Sequence, residues 1–473
     1  MPSQDVNQPP APASDPPGAF ARLGSALADW CERWFPDAFV FALGALVIVF
    51  LAGLVSGASV RDLINFFGDG FWSLIPFTLQ MAMIIIGGYT VASSPPVYRA
   101  ITWLASIPRQ PRTAITFVAF FASSSSLLHW GFSLIFSGLL VREIVRRVAG
   151  IDYRAAGAAA YLGTGSVWAL GLSSSAALLM ATPSSIPPGL LKISGIIPLS
   201  QTIYTWQSMV TAAILIAVSV AVAYLSAPRF SSRTAESFGV VHLETRSQTS
   251  THRTPAEWLE YAPVLSVAIS IIGLLYLWQV VAARGPLAAL DLNTYNFLFL
   301  MTGLLLHWRP RSFTRSVNDA VPATAGVLIQ FPFYGGIFGL ITMSSLSAHV
   351  AHLFVRVSTL STYPLVVGLY SAVLGLFIPS GGSKWIIEAP YVLQAAKDLH
   401  VNLGWVVQIY NVSEALPNLI NPFWMLPLVG ILKCRVRELV GYGILQLLVH
   451  SVLVFFLIWF FARTIPYVPP VLP

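Results

Sequence analysis

Charge is scarce in this sequence. Of its 473 residues only 10% are Asp, Glu, Lys or Arg and 56% are hydrophobic, whereas an ordinary soluble domain is about a quarter charged. That balance excludes a water-soluble globular fold. Cysteine is almost absent: Cys31 and Cys434, both cytoplasmic in the topology below, cannot build a disulfide framework. No His/Cys cluster has metal-ligand spacing, and no nucleophile stands at a recognisable distance from a base, so neither a metal centre nor an intramembrane enzyme is expected. Residues 1–19 lack a basic start followed by an apolar core, and their Pro, Ser and Ala content reads as a disordered tail rather than a cleaved signal. The net charge of +7 would suit nucleic acid, but the arginines stand in short clusters between apolar runs and are better read as orientation signals.

What is present is long apolar sequence. Runs of about 20 nearly uncharged residues are long enough to cross a ~30 Å hydrocarbon layer as helices, and nine such crossings are expected, at 38–56, 71–92, 155–181, 205–227, 261–283, 292–308, 322–346, 404–431 and 441–462. Two further stretches have arms too short to span. One, 113–141, is interrupted by Ser123, Ser124, Ser125 and Ser126; the other, 363–396, by Pro379-Ser380-Gly381-Gly382-Ser383. Both read as re-entrant hairpins. With both re-entrant, 19 of the 26 basic residues fall on the cytoplasmic side, as the positive-inside rule requires, and only Lys384 remains within the membrane. The result is an all-α polytopic protein of the cell inner membrane with a cytoplasmic N-terminus.

The chain also repeats itself. Residues 81–94 resemble 329–342, with paired glycines 248 positions apart, and each hairpin places a Trp after its break, Trp130 and Trp385. Five crossings separate the two starts, so the second copy is inverted, an architecture common among secondary transporters. The expected organisation is a disordered tail with an amphipathic lead-in (1–34), a first transmembrane repeat (35–227), a cytoplasmic linker (228–260), a linking helix (261–283), a second inverted repeat (284–462) and a C-terminal tail (463–473).

Irregular backbone at membrane depth is tolerated only where protein or a water-filled cavity satisfies it, so the hairpin tips are the first candidate site. Helix N-terminal N–H groups there attract a carboxylate, and Ser123 to Ser126, His129, Ser380, Gly381, Gly382, Ser383 and Lys384 are the substrate candidates. Single serines more often permit helix packing; two matched Ser/Gly breaks favour binding. The crossing at 155–181 carries Thr164, Ser166 and Ser173, and its partner at 404–431 carries Asn411, Ser413, Glu414, Asn418 and Asn421. Pro417 and Pro422 free backbone carbonyls there, so these residues are candidates for a coupling Na+ or H+, weighed evenly against a plain kink. Lys384, Glu388 and Glu414 lie deep, where charge is costly; Lys384 and Glu388, four apart on one helix, also read as a self-neutralising pair.

The strings W-G-F-S-L-I-F-S-G-L-L-V-R-E (130–143), I-P-S-G-G-S-K-W (378–385) and N-P-F-W-M-L-P-L (421–428) resemble the AtoE-type short-chain fatty acid transporter family, and the likeness runs from Phe35-Pro36-Asp37 to Gly441-Tyr442-Gly443. The resemblance implies two inverted repeats with paired hairpins, elevator-type movement, and uptake of anions such as butyrate or acetoacetate. The hairpin signature is shared with related transporters of C4-dicarboxylates, and the chain departs from the family's pattern at His129. The expected function is cation-coupled symport of a short-chain monocarboxylate, with carriage or export of another organic anion as the alternative and an anion channel behind it. The expected partners are a small carboxylate and the lipid bilayer; a homodimer is compatible with the sequence, and no cofactor is needed beyond the coupling ion.

Overall fold

The computed structural model describes residues 38–73, 75–181, 188–238, 254–286, 292–346, 356–376 and 381–470, with isolated positions among 19–33 and at 186 and 289. The N-terminal tail and Cys31, the linker centre at 239–253, and the tip residues Pro379 and Ser380 lie outside the described residues. Among the described residues every regular element is helical.

Helices long and apolar enough to cross a bilayer occupy Tyr153–Ala181, Trp206–Ser226, Val264–Arg284, Pro310–Ile337 and Val436–Ala462. The helices Leu403–Asn418 and Pro422–Leu432 are together long and apolar enough for one more crossing and are bent by 54° at the break between them. Shorter apolar helices lie at Ala42–Val55, Thr78–Ala92 and Asn296–His307, within three other expected crossings. Many of their outward side chains are large and apolar, including Val47, Ile48, Leu51, Ile272, Leu275 and Val452, which suits lipid as solvent and costs in water.

The two short-armed stretches fold back on themselves. Pro111–Leu128 and Trp130–Val145 are joined by His129 alone, and Ser133 Oγ donates to the carbonyl of Ala122 at 2.7 Å. The expected interruption at the serines is corrected here: Ser123 to Ser126 continue the first arm as helix, and the chain turns at His129, whose φ of −156° and ψ of 110° leave the helical region. Serine hydroxyls explain the continuity, since Ser125 and Ser126 donate to carbonyls three or four residues back and so stay compatible with the helix. In the second hairpin, Tyr363–Gly375 faces Gly381–Asp398. Tyr363 donates to the Val392 carbonyl, and the hydroxyls of Tyr370 and Tyr391 meet at 2.6 Å.

Each hairpin is followed by a broken span. The first runs Tyr153–Leu162, unwinds through a π turn at Gly163–Val167 and a 3-10 turn at Trp168–Leu170, and resumes at Ser175. Insertions of this kind concentrate at functional sites. The second breaks after Asn418 and resumes at Pro422, where Asn421 caps the new helix by accepting from Phe423 N at 3.0 Å. The core is divided at these breaks. One apolar cluster joins the first hairpin to Tyr153–Leu162 and Phe423–Leu432; another joins Trp385–Ala396 of the second hairpin to residues 176–203 and Leu403–Val412. A small third cluster of Trp168, Ala169, Ala415 and Trp130 sits between them.

Candidate functional site

The turn of the first hairpin and the start of the second hairpin's second arm, at Gly381, come to the unwound 163–175 stretch. From the first, Ser173 Oγ donates to the Ser126 carbonyl at 2.6 Å and accepts from Trp130 N at 3.0 Å. It thereby satisfies one group on each arm, including one of the N–H groups that a helix start leaves without a partner. His129 caps the second arm through Nδ1, which accepts from Phe132 N at 3.0 Å, and its ring lies against Phe299. From the second hairpin, Gly381 is so close to the Trp168 indole that a Cβ there would stand 2.5 Å from Cη2, and one on Gly382 would meet Ser175. Tyr410 donates to the Gly381 carbonyl at 2.6 Å and holds this helix start in place.

Ser173→Ala leaves the Ser126 carbonyl and the Trp130 N–H without partners. The expected cost is about 1–3 kcal/mol for each group left unpaired, read as a lower unfolding temperature in detergent. Ser125→Ala is the control, because that hydroxyl bonds only carbonyls of its own helix, Phe121 and Ala122. Equal effects of the two substitutions would show that Ser173 does not hold the turn.

The expected coupling residues divide into two groups. Thr164, Asn418, Asn421 and Ser413 are buried with side-chain atoms that have no hydrogen-bond partner among the described residues: Thr164 Oγ1, both side-chain heteroatoms of Asn418, Asn421 Nδ2 and Ser413 Oγ. Ser123 Oγ and Trp168 Nε1 share that condition. Such groups cost free energy unless something pairs with them. Ser166, Ser173, Asn411 and Glu414, by contrast, are engaged, Ser173 by the first hairpin and Glu414 by Lys384. Ser166 donates to Leu162 and lies 3.2 Å from Ser219 Oγ, which meets His450 Nε2 at 2.9 Å. Asn411 Oδ1 accepts from Ser174 Oγ at 3.1 Å.

Lys384 is not at the tip surface. It is fully buried, and its ammonium lies between two fully buried carboxylates, pairing with Glu388 Oε1 at 3.2 Å and with Glu414 Oε2. It also donates to the Ser371 carbonyl at 2.7 Å and sits 4.6 Å from the centre of the Tyr410 ring. Ser371 Oγ donates to Glu388 Oε2 at 2.5 Å. The sequence marks the three charged residues by their depth but not their meeting, and it leaves out Ser371, Tyr410 and Trp168. One signal was available: Tyr410 stands one helical turn before Glu414, so the two share a face.

Several long apolar helices mark a multi-pass membrane protein. The family model described as "Short chain fatty acid transporter" matches residues 19–461. Two relatives are named for short-chain fatty acid transport. One from Escherichia coli (strain K12) is 33% identical over 437 residues, covering 92% of this chain and 98% of that protein. Another from Haemophilus influenzae is 30% identical over 432 residues, covering 89% and 96%. Among solved structures, Neisseria gonorrhoeae MtrF, described with a class of antimetabolite efflux pumps, is similar at 14% identity and a TM-score of 0.43, over 95% of this chain and 98% of its own. That likeness is too distant to bear on the architecture. By the match along nearly its whole length, the chain belongs to the short-chain fatty acid transporter family, whose members are transporters and not enzymes.

Proposed function

We propose that the protein is a secondary active transporter that carries short-chain monocarboxylates of the butyrate or acetoacetate type across the inner membrane by cation-coupled symport. The observation that carries this reading is the meeting of the first hairpin's turn and the second hairpin's helix start at Gly381 on one unwound segment. The helix start at Gly381 brings backbone N–H groups there, and a buried Trp168 Nε1 and Ser123 Oγ have no partner among the described residues. Such donors suit a single carboxylate, and apolar walls from Trp130, Trp168 and Ala415 suit a short hydrocarbon tail. Lys384 is not the substrate's counter-charge in this reading, because two carboxylates already hold it. An N-terminus on the cytoplasmic side is supported by the clustering of basic residues, and two inverted repeats with elevator-type movement by the matching order of hairpin and broken span in each half.

The test is exchange in proteoliposomes. Vesicles loaded with unlabelled butyrate should accumulate labelled acetoacetate and butyrate transiently, above protein-free vesicles, whereas vesicles loaded with succinate should not. Exchange of the dicarboxylate alone would assign the protein to another organic anion. Conduction of the anion without exchange or coupling would make it a channel.

A further inference from the structure

The Lys384, Glu388 and Glu414 cluster contains two acids and one base, and all three side chains are fully buried. The other buried glutamates differ. Glu143 pairs with Arg146 and Arg147, and Glu438 with Arg435, and all three arginines reach solvent at helix ends. Among the described residues Lys384 is the one cation in ion-pair contact with either Glu388 or Glu414. With every group ionised the cluster would hold one uncompensated negative charge, several kcal/mol unfavourable in a medium that water does not reach. Pairing on that scale cannot come from the surrounding neutral groups. Ser371 offers one hydroxyl to Glu388. Tyr370 and Tyr391 are hydrogen-bonded to each other, and Tyr410 gives its hydroxyl to the Gly381 carbonyl. His450, on the long helix that also packs here, is held by Ser219 and the Gln446 carbonyl, and Lys192, on the short helix beside the second hairpin, is exposed. Glu414 Oε1 has no hydrogen-bond partner among the described residues.

We propose that this triad binds one exchangeable proton, shared by Glu388 and Glu414 across Lys384, and that this proton is the coupling ion. The geometry favours a proton over sodium. A sodium ion needs several oxygen ligands, whereas the ammonium already occupies the space between the carboxylates and repels a second cation. Proton binding needs no extra volume: a carboxylate takes H+ from water on one side, the triad becomes neutral, and the same proton leaves to water on the other side. The two acids titrate as a unit, because they interact through one lysine. The triad spans the second hairpin's two arms and the second broken span, the elements that hold Gly381 against Trp168. A change in its charge therefore bears directly on how the helix start at Gly381 sits against Trp168. One proton carried with one monocarboxylate makes the loaded carrier's passage electroneutral. The coupling role rests on the transport reading above; the existence of the proton site does not.

The site is tested by infrared difference spectroscopy of the whole solubilised protein as pH is raised from mildly acidic to alkaline. Wild type should show one buried carboxylic C=O band converting to carboxylate, and Glu388→Gln and Glu414→Gln should each lose it, since either leaves a neutral Lys–Glu pair. A wild type without such a band, or a band that persists in both variants, overturns the proton site. The coupling is tested by initial uptake of labelled acetoacetate above protein-free vesicles. An inward proton gradient should drive it, with a limiting accumulation of about tenfold per pH unit, and a sodium gradient at equal pH should not; Glu414→Gln should abolish the response. Uptake driven by sodium alone overturns the coupling role. A wild type that binds the proton but moves no short-chain acid would instead defeat the transport reading.

Discussion

Lys384→Met should destabilise the protein by about 3–5 kcal/mol, the usual consequence of removing one partner from a buried ion pair. The substitution keeps the stem's volume but leaves Glu388 and Glu414 facing each other with one proton between them, and it also deprives the Ser371 carbonyl of its donor. Thermal unfolding in detergent measures the loss. The informative companion is Lys384→Met with Glu388→Gln. If the triad carries a proton, the double variant keeps a single protonated Glu414 and no net charge, so most of the lost stability returns. If the triad carries none, the single variant holds two bare buried carboxylates and the double variant still holds one, so only part of the lost stability returns. A double variant as unstable as Lys384→Met therefore speaks against both the assignment of charge and the proton site.

Gly163→Ala should disturb the site as strongly from the other side. A Cβ at Gly163 would collide with the Ala122 carbonyl oxygen and stand 2.7 Å from Ser126 Cβ. Those atoms belong to the first hairpin's helical arm, so no flexible side chain can swing aside to make room. Overpacking of this kind costs about 1–3 kcal/mol, and relief by separation would pull the Ser126 carbonyl off Ser173. A misplacement of about 1 Å at a binding constellation can cost on the order of a hundredfold in rate, so exchange should fall steeply even where the protein still folds. Gly44→Ala is the matched control: a Cβ there meets nothing within 4 Å, and Ala in a helix is favoured over Gly by about 1 kcal/mol. Equal exchange by the two variants would remove the close approach of hairpin and π turn from the mechanism.

Much of the fold was legible because lipid imposes a simple rule on sequence: a span needs length and apolarity, and the chain writes both openly. The stretches at 205–227, 261–283 and 441–462 correspond to the helices Trp206–Ser226, Val264–Arg284 and Val436–Ala462. The turn of the first hairpin was misplaced because four consecutive serines resemble a break, although each hydroxyl can bond to a carbonyl of its own helix and leave it intact. His129 ends the arm, but a lone histidine carries no such signal. The unwinding at Gly163–Leu170 was likewise hidden, since glycine and small polar residues are as common in packed membrane helices as in broken ones. Lys384 was singled out for its charge, yet its partner Glu414 stands 30 positions away, and nothing in local spacing joins them.

The sequence by itself determined that this chain lives in a bilayer, that its spans are helical, and which few polar residues had to be buried with them. Those properties follow from solvent and length alone, because each residue pays for its own exposure to lipid. Only the tertiary structure decided that the first hairpin's turn and the helix start at Gly381 meet at one unwound segment, that Ser173 closes the first hairpin, and that Lys384 is shared by two glutamates rather than one. These are meetings between elements remote along the chain, and their energies depend on distance and burial, quantities that exist only once the helices have packed.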